Sequence, residues 1–203
     1  MGNRCLQRLD SERSSVLRIM EASYIVALVI AAVACITDLR TGRIPNVLTF
    51  VSAVAALFFH AVVGRGEGVL LSVAGLMVGV AVFFVPFALR GLGAGDVKLL
   101  GAIGAWIGPA AVVWTALYTG IVGGVLCVMV AAFHGYFRKA ISNIRALLAH
   151  WRVSGVRPLP EVTLGENRGP RLAYAVPILM GLIVTVALRY ASTEPEAAWL
   201  LRP

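Results

Sequence analysis

Apolar residues run along this chain in long blocks, not in the alternating or half-apolar patterns of a soluble domain. A helix crossing a hydrocarbon layer of about 30 Å needs about 20 predominantly apolar residues. Candidate segments fall near residues 24–36, which needs its flanks to reach spanning length, then 47–63, 69–89, 97–107, 110–133 and 172–188. The fourth is short and glycine-rich, and Gly108-Pro109 breaks the chain after it. The expected fold is therefore all-α, a polytopic transmembrane helical bundle of about six spans. Gly75-x-x-x-Gly79 in the third segment is a pattern that allows close helix approach, but Gly is abundant throughout and the motif carries little weight.

Two polar stretches interrupt the blocks. Residues 1–20 form a basic tail with Arg4, Arg8, Arg13 and Arg18 and are expected to be unstructured. Ala32-Val33-Ala34-Cys35 has the form of a lipoprotein cleavage site, but five further apolar segments speak against a cleaved signal. Met20 directly precedes the first span and is a second candidate start, so the tail is a segment that a mass measurement of the native N-terminus would test. Residues 21–190 are read as the membrane domain and 191–203 as a C-terminal tail. Inside the domain, residues 134–171 form the longest break. Phe137, Ile141, Ile144, Leu147, Leu148 and Trp151 recur there at helical spacing, with Arg138, Lys139, Arg145 and Arg152 largely between them. That pattern describes a basic amphipathic helix lying in the headgroup region, or a solvated connector helix. Pro158, Pro160 and Pro170 make the remainder a loop.

Composition agrees with a membrane solvent: 59% of the 203 residues are hydrophobic and 14% charged, far from the soluble norm. The net charge of +8 points in a soluble protein to nucleic acid; here it marks loops, and no nucleic-acid partner is expected. Eleven Lys and Arg lie in the loops after spans one, three and five, against seven elsewhere. The positive-inside rule places those three loops in the cytoplasm and the N-terminus outside. Cys5, Cys35 and Cys127 form no C-x-x-C pair, so neither a disulfide framework nor a thiolate zinc site is expected.

The scarce carboxylates then stand out. Between Ala22 and Pro160 the acidic residues are Asp38, Glu67 and Asp96. Glu67 sits in a Gly-Arg-Gly-Glu-Gly turn and reads as a solvated loop residue. Asp38 ends span one and Asp96 begins span four, on the same, cytoplasmic, side. An Asp at mid-bilayer costs roughly 2.5–3.5 kcal/mol and less near the interface, so such residues have a reason to be there. Taken singly, each could cap a helix or pair with Arg40 or Lys98. Taken together, two carboxyls from different helices meeting at one face can split an amide without a metal or a covalent nucleophile. Like charges in contact do not both ionise, so one carboxyl holds a proton while the other activates water. His60, His134 and His150 are scattered, and no phosphate-binding loop or metal-ligand spacing competes.

The flanking residues carry a family resemblance. Asp38-Leu39-Arg40-Thr41-Gly42-Arg43-Ile44-Pro45-Asn46 resembles the first signature of type IV prepilin peptidases, an aspartate followed at fixed spacing by Ile-Pro-Asn. Gly93-Ala94-Gly95-Asp96-Val97-Lys98-Leu99-Leu100 is similar to their second, the G-x-G-D motif also found in presenilin-type intramembrane proteases. The two motifs stand in order and are separated by two spans. The resemblance implies that Asp38 and Asp96 are the catalytic pair of an aspartic endopeptidase of the bacterial inner membrane, with no metal and no cofactor. Its substrates would be prepilins or pseudopilins, cut at the cytoplasmic face between a basic leader and an apolar helix, for pilus assembly or type II-like secretion. Ile44, Pro45, Asn46, Gly93, Gly95 and Lys98 are the motif residues expected to position the site or the substrate. Pro45 suits the first turn of span two, where its missing N–H costs nothing. Gly93 and Gly95 are expected to permit positive φ and close backbone approach, or simply a tight turn. Arg40, Arg43 and Lys98 read as solvated positive-inside residues, or as contacts to lipid phosphate and the dyad.

Arg171-Leu172-Ala173-Tyr174-Ala175-Val176-Pro177 resembles the family's last segment, with Ala173-Tyr174 where Pro-Tyr or Pro-Phe is usual. Larger members carry a cytoplasmic insertion with paired C-x-x-C and methylate the new N-terminus. This chain has neither motif nor insertion and resembles the short, peptidase-only form of tight-adherence pili, so methylation is not expected. Helix dipoles add an asymmetry: Asp38 lies at a helix C-terminus and Asp96 at a helix N-terminus, so the shared proton is expected on Asp38 and the anion on Asp96. Two readings from other classes remain open: a small cation- or proton-coupled transporter using the two carboxylates, and a non-catalytic membrane component of a secretion apparatus. The preferred substrate sequence and the oligomeric state are not legible.

Overall fold

The structure is a computed structural model; it describes the backbone of residues 2–89, 91–133 and 173–199, with side chains described for residues 18–64, 66–89, 91–130, 132–133 and 173–191. The amphipathic helix and proline-rich loop expected over residues 134–171 lie outside the described residues, as do Arg171, Leu172 and residues 200–203. Four helical elements are described: α1 (Gly2–Thr41), α2 (Asn46–Ala88), α3 (Ala94–Phe133) and α4 (Ala175–Trp199). Among the described residues there is no strand, and the fold is an all-helical bundle.

Two of these elements are interrupted: α2 holds two spans and α3 a kink. A straight helix would put Ser52 and Ser72 about 30 Å apart. Yet Ser52 Oγ accepts a hydrogen bond from Trp106 Nε1 at 3.1 Å, and Ser72 Oγ donates to the carbonyl of neighbouring Ala105 at 2.8 Å. The chain of α2 therefore folds back on itself. The reversal lies at the glycine-rich turn, where a Cβ on Gly68 would sit 2.5 Å from the His60 carbonyl oxygen. Glu67 is exposed there, as a solvated turn residue should be. The apolar stretches on either side are Asn46–Gly64 and Gly66–Ala88. In α3 the break is at Gly108, with φ 82° and ψ 171°, followed by Pro109. That backbone region is essentially reserved for glycine, and proline supplies no N–H to continue the ladder.

With Arg18–Thr41 and Ala94–Val130, taken whole, the two stretches of α2 make four helices long and apolar enough by length and composition to cross a bilayer, and Ala175–Ala191 is a shorter apolar helix. One expectation is corrected: the N-terminal tail is not unstructured, because α1 is helical from Gly2. Between Arg4 and Thr41 the chain has no Pro or Gly, so nothing in its backbone chemistry ends the helix where the apolar run begins.

Small residues set the packing. Ala27, Ala31 and Ala34 are fully buried along one stripe of α1. Gly75 and Gly79 of α2 face Gly104 and Gly101 of α3, and a Cβ on Gly79 would lie 2.6 Å from the Leu100 carbonyl oxygen. The Gly75/Gly79 motif therefore does mark a close helix crossing, a role that glycine abundance had hidden. Leu99, Leu100, Ile103 and Val112 of α3 and Ile178 and Leu182 of α4 fill the centre. Large apolar side chains such as Phe50, Phe58, Leu70 and Trp114 point outward, the inverse of a soluble fold and the arrangement lipid allows.

Candidate active site at one end of the bundle

Asp38 stands in the last turn of α1. The helix ends at Thr41, and Gly42 adopts φ 64°, with its N–H donating to the Asp38 carbonyl at 2.8 Å. This left-handed cap turns the chain immediately after the aspartate. Thr41 Oγ1 lies 2.7 Å from the Thr37 carbonyl and 3.1 Å from the Arg43 carbonyl, so its one proton is shared between the last turn of α1 and the chain beyond it. Pro45 then occupies the position just before α2 with φ −62° and ψ 127°, and its carbonyl accepts from the Leu48 N–H at 3.1 Å. The proline thus sits one residue earlier than the first helical turn, where the absence of its N–H is equally free of cost.

Asp96 stands in the first turn of α3 and is buried. Its Oδ2 accepts the Gly93 N–H at 3.1 Å while its own N–H donates to the Gly93 carbonyl at 3.2 Å, a reciprocal cap closing the G-x-G-D turn. The expectation of positive φ at Gly93 and Gly95 is corrected: among the described glycines only Gly42 and Gly108 have it. What these two need is room. A Cβ on Gly93 would meet Asp96 Oδ2 at 3.2 Å, and one on Gly95 would meet the Ile44 Cβ at 3.3 Å.

The two motifs touch each other. Ile44 covers Gly95, and Lys98 Nζ donates to Asn46 Oδ1 at 2.9 Å. Arg40 and Arg43 are exposed.

The residues that sequence reasoning missed lie at the start of α4. The Ala175 N–H donates to Asp38 Oδ2 at 3.4 Å, a long bond, so the aspartate ending α1 meets the N-terminus of α4. Tyr174, one residue earlier, packs its ring against Phe83 at 6.1 Å between centroids, and its hydroxyl lies where a Cβ on Gly123 would be 2.9 Å away. Burial pushes the Tyr174 hydroxyl above its ordinary pKa, and the nearby Asp96 charge acts in the same direction. Asp96 in turn feels the charge of Asp38. The Ala173-Tyr174 pair thus makes its turn without the usual proline: the Val176 N–H donates to the Ala173 carbonyl at 3.1 Å and α4 begins at Ala175. No side-chain signal could have found this contact, because the donor to Asp38 is the backbone N–H of Ala175.

The ends of α1 and α4 therefore meet at Asp38, and the start of α3 carries Asp96 within electrostatic reach of it. Among the described residues no group of three or more His, Cys, Asp or Glu side chains is placed to hold a metal. The constellation can accept a proton from water at one carboxyl and donate one from the other.

Searches among curated proteins and among solved structures returned no match. Residues 25–128 match the type IV leader peptidase family, a range that holds Asp38, the Ile44-Pro45-Asn46 turn and Asp96. By that match over half its length, the chain belongs to the type IV leader peptidase family, a family of peptidases, on a helical membrane fold.

Proposed function

We propose that this protein is an aspartic endopeptidase that removes the basic leader of type IV prepilins or pseudopilins at the cytoplasmic face of the bacterial inner membrane. One observation carries the reading: Asp38 at the end of α1 accepts from the N-terminus of α4, and Asp96 at the start of α3 lies within electrostatic reach of Asp38 and of Tyr174. In the proposed reaction the anionic carboxyl takes a proton from water as the water oxygen attacks the scissile carbonyl carbon. The protonated carboxyl gives its proton to the carbonyl oxygen. Collapse of the tetrahedral intermediate breaks the C–N bond, and the departing nitrogen takes up a proton. The products are a leader with a new carboxyl end and a mature chain with a free amine. Cytoplasmic placement is supported by the excess of Lys and Arg in the loops after spans one, three and five.

Co-expression with a panel of pilin precursors, followed by gel shift, tests the proposal. Wild-type protein removes the leader. Asp38→Asn and Asp96→Asn each reduce removal at least ~10³-fold, the scale of acid–base catalysis, while membrane levels stay unchanged. Undiminished cleavage by either variant refutes the dyad. Uncleaved precursor with wild-type protein throughout the panel returns the molecule to the transport or scaffold readings.

A further inference from the structure

We infer that Lys98 and Asn46 form a latch that sets the position of Asp96 relative to Asp38, and that both are positioning residues. The inference rests on the proposed peptidase reading for its functional consequence and on geometry for its existence. Asp38 and Asp96 belong to separate helices, and each is held locally by its own cap. What joins the turn after Asp38 to the turn around Asp96 is a pair of contacts. Ile44 against Gly95 is the apolar one, and Lys98 Nζ to Asn46 Oδ1 at 2.9 Å, across 52 residues of sequence, is the polar one.

Gly95 and Lys98 flank Asp96 in the first turns of α3. Buried Leu99 and Leu100 fix the body of α3, and Ile44 against Gly95 is the apolar contact at its first turn. The exposed Lys98 bond to Asn46 adds a second point on the far side of Asp96 and so bears on the orientation of its carboxyl. On the other side, Ile44 and Asn46 are tied back to Asp38 through Thr41 on Arg43 and Gly42 on the Asp38 carbonyl. The Lys98 ammonium is thus a charged donor committed to a neutral acceptor in the chain itself. A cation kept there only for lipid phosphate or for solubility has no need of that partner.

A double-mutant cycle with a disulfide reporter tests the latch. In membranes carrying a precursor that the wild-type protein cleaves, Lys98→Met and Asn46→Ala each lower kcat about tenfold with KM within about twofold, because misplacement of one catalytic group acts on the chemical step. The double variant is no worse than either single one, and Asn46→Asp, which keeps an acceptor oxygen, retains near wild-type turnover. Independently of activity, Ile44→Cys with Gly95→Cys, in a chain whose Cys5, Cys35 and Cys127 are replaced by Ser, forms a disulfide readily, since the two Cβ positions lie 3.3 Å apart. Adding Lys98→Met slows its formation several-fold. Additive losses of about a hundredfold in the double variant, or a harmless Asn46→Ala beside a damaging Lys98→Met, overturn the latch. An unchanged cross-linking rate overturns it even if no precursor is cleaved, an outcome that would separately refute the peptidase reading.

Discussion

Replacing Gly79 by Ala tests whether the helix crossing below the site holds the dyad in place. A methyl group at Gly79 would lie 2.6 Å from the Leu100 carbonyl oxygen and 3.0 Å from the Gly101 Cα, both backbone atoms that no rotamer change can move aside. An ordinary contact begins near 3.4 Å, so α2 and α3 must part by about 0.8 Å at this level. Overpacking of that kind costs about 1–3 kcal/mol. Leu100 is four residues, about one turn or 6 Å, from Asp96, so the displacement reaches the carboxyl with little attenuation. Misplacement of a reacting group by about 1 Å lowers a rate on the order of 10²-fold. Gly120→Ala, on α3, is the control, since nothing lies within 4 Å of its Cβ position. Thermal unfolding in detergent and leader removal in membranes are the two readouts. Gly79→Ala is expected to melt several degrees lower and to cleave tenfold to a hundredfold more slowly, whereas Gly120→Ala matches wild type in both. Equal behaviour of the two variants would refute the claim that this crossing positions the site.

Other outcomes follow from single contacts. Gly108→Ala is expected to cost about 1–3 kcal/mol in thermal stability through backbone strain alone, because φ 82° with ψ 171° is a glycine conformation and no neighbour lies within 4 Å. Ser52→Ala removes the acceptor of the buried Trp106 indole N–H and is expected to cost about 1–3 kcal/mol by the same measurement. Ala175→Pro removes the N–H offered to Asp38 at a helix position that otherwise accepts proline. At 3.4 Å that bond is long, so leader removal should slow by about five- to tenfold, corresponding to about 1 kcal/mol, with Ala175→Gly, which keeps the N–H, at the wild-type rate.

The all-helical membrane architecture was legible because lipid imposes it: blocks of apolar residues long enough to cross, separated by glycine and charge, leave few other arrangements. Gly108-Pro109 was legible as a break for the same local reason. Asp38 and Asp96 were legible because carboxylates are costly near hydrocarbon and this chain has so few. What was not legible depends on partners distant in sequence. Gly75 and Gly79 could not be told from the other glycines until Leu100, Gly101 and Gly104 were placed against them. Gly93 and Gly95 turned out to need space for the Asp96 carboxylate and for Ile44, which no local backbone argument reveals. The helical N-terminal stretch was misjudged because polarity was taken as evidence against helix, whereas polarity excludes burial and leaves helical propensity untouched.

The N-terminus of α4 changes the dipole balance that α1 and α3 set at the two carboxyls. From α1 and α3 alone, Asp38 sits at a helix C-terminus and Asp96 at a helix N-terminus, and the two fields, each equivalent to about half a charge, set the carboxyls apart. The Ala175 N–H brings the N-terminus of α4 onto Asp38, opposing the C-terminus of α1 at the same group. Each carboxylate then accepts one backbone N–H beside a helix N-terminus, Asp96 from Gly93 and Asp38 from Ala175. The dipole contrast between the two carboxyls is therefore smaller than α1 and α3 alone would make it. Such a pair should lose activity to a similar extent, within about tenfold, when either member is replaced by Asn. Single-turnover cleavage rates for Asp38→Asn and Asp96→Asn make the comparison directly. Losses differing by a factor of a thousand would show that the α4 N-terminus does not offset α1, and would restore a fixed division of acid and base.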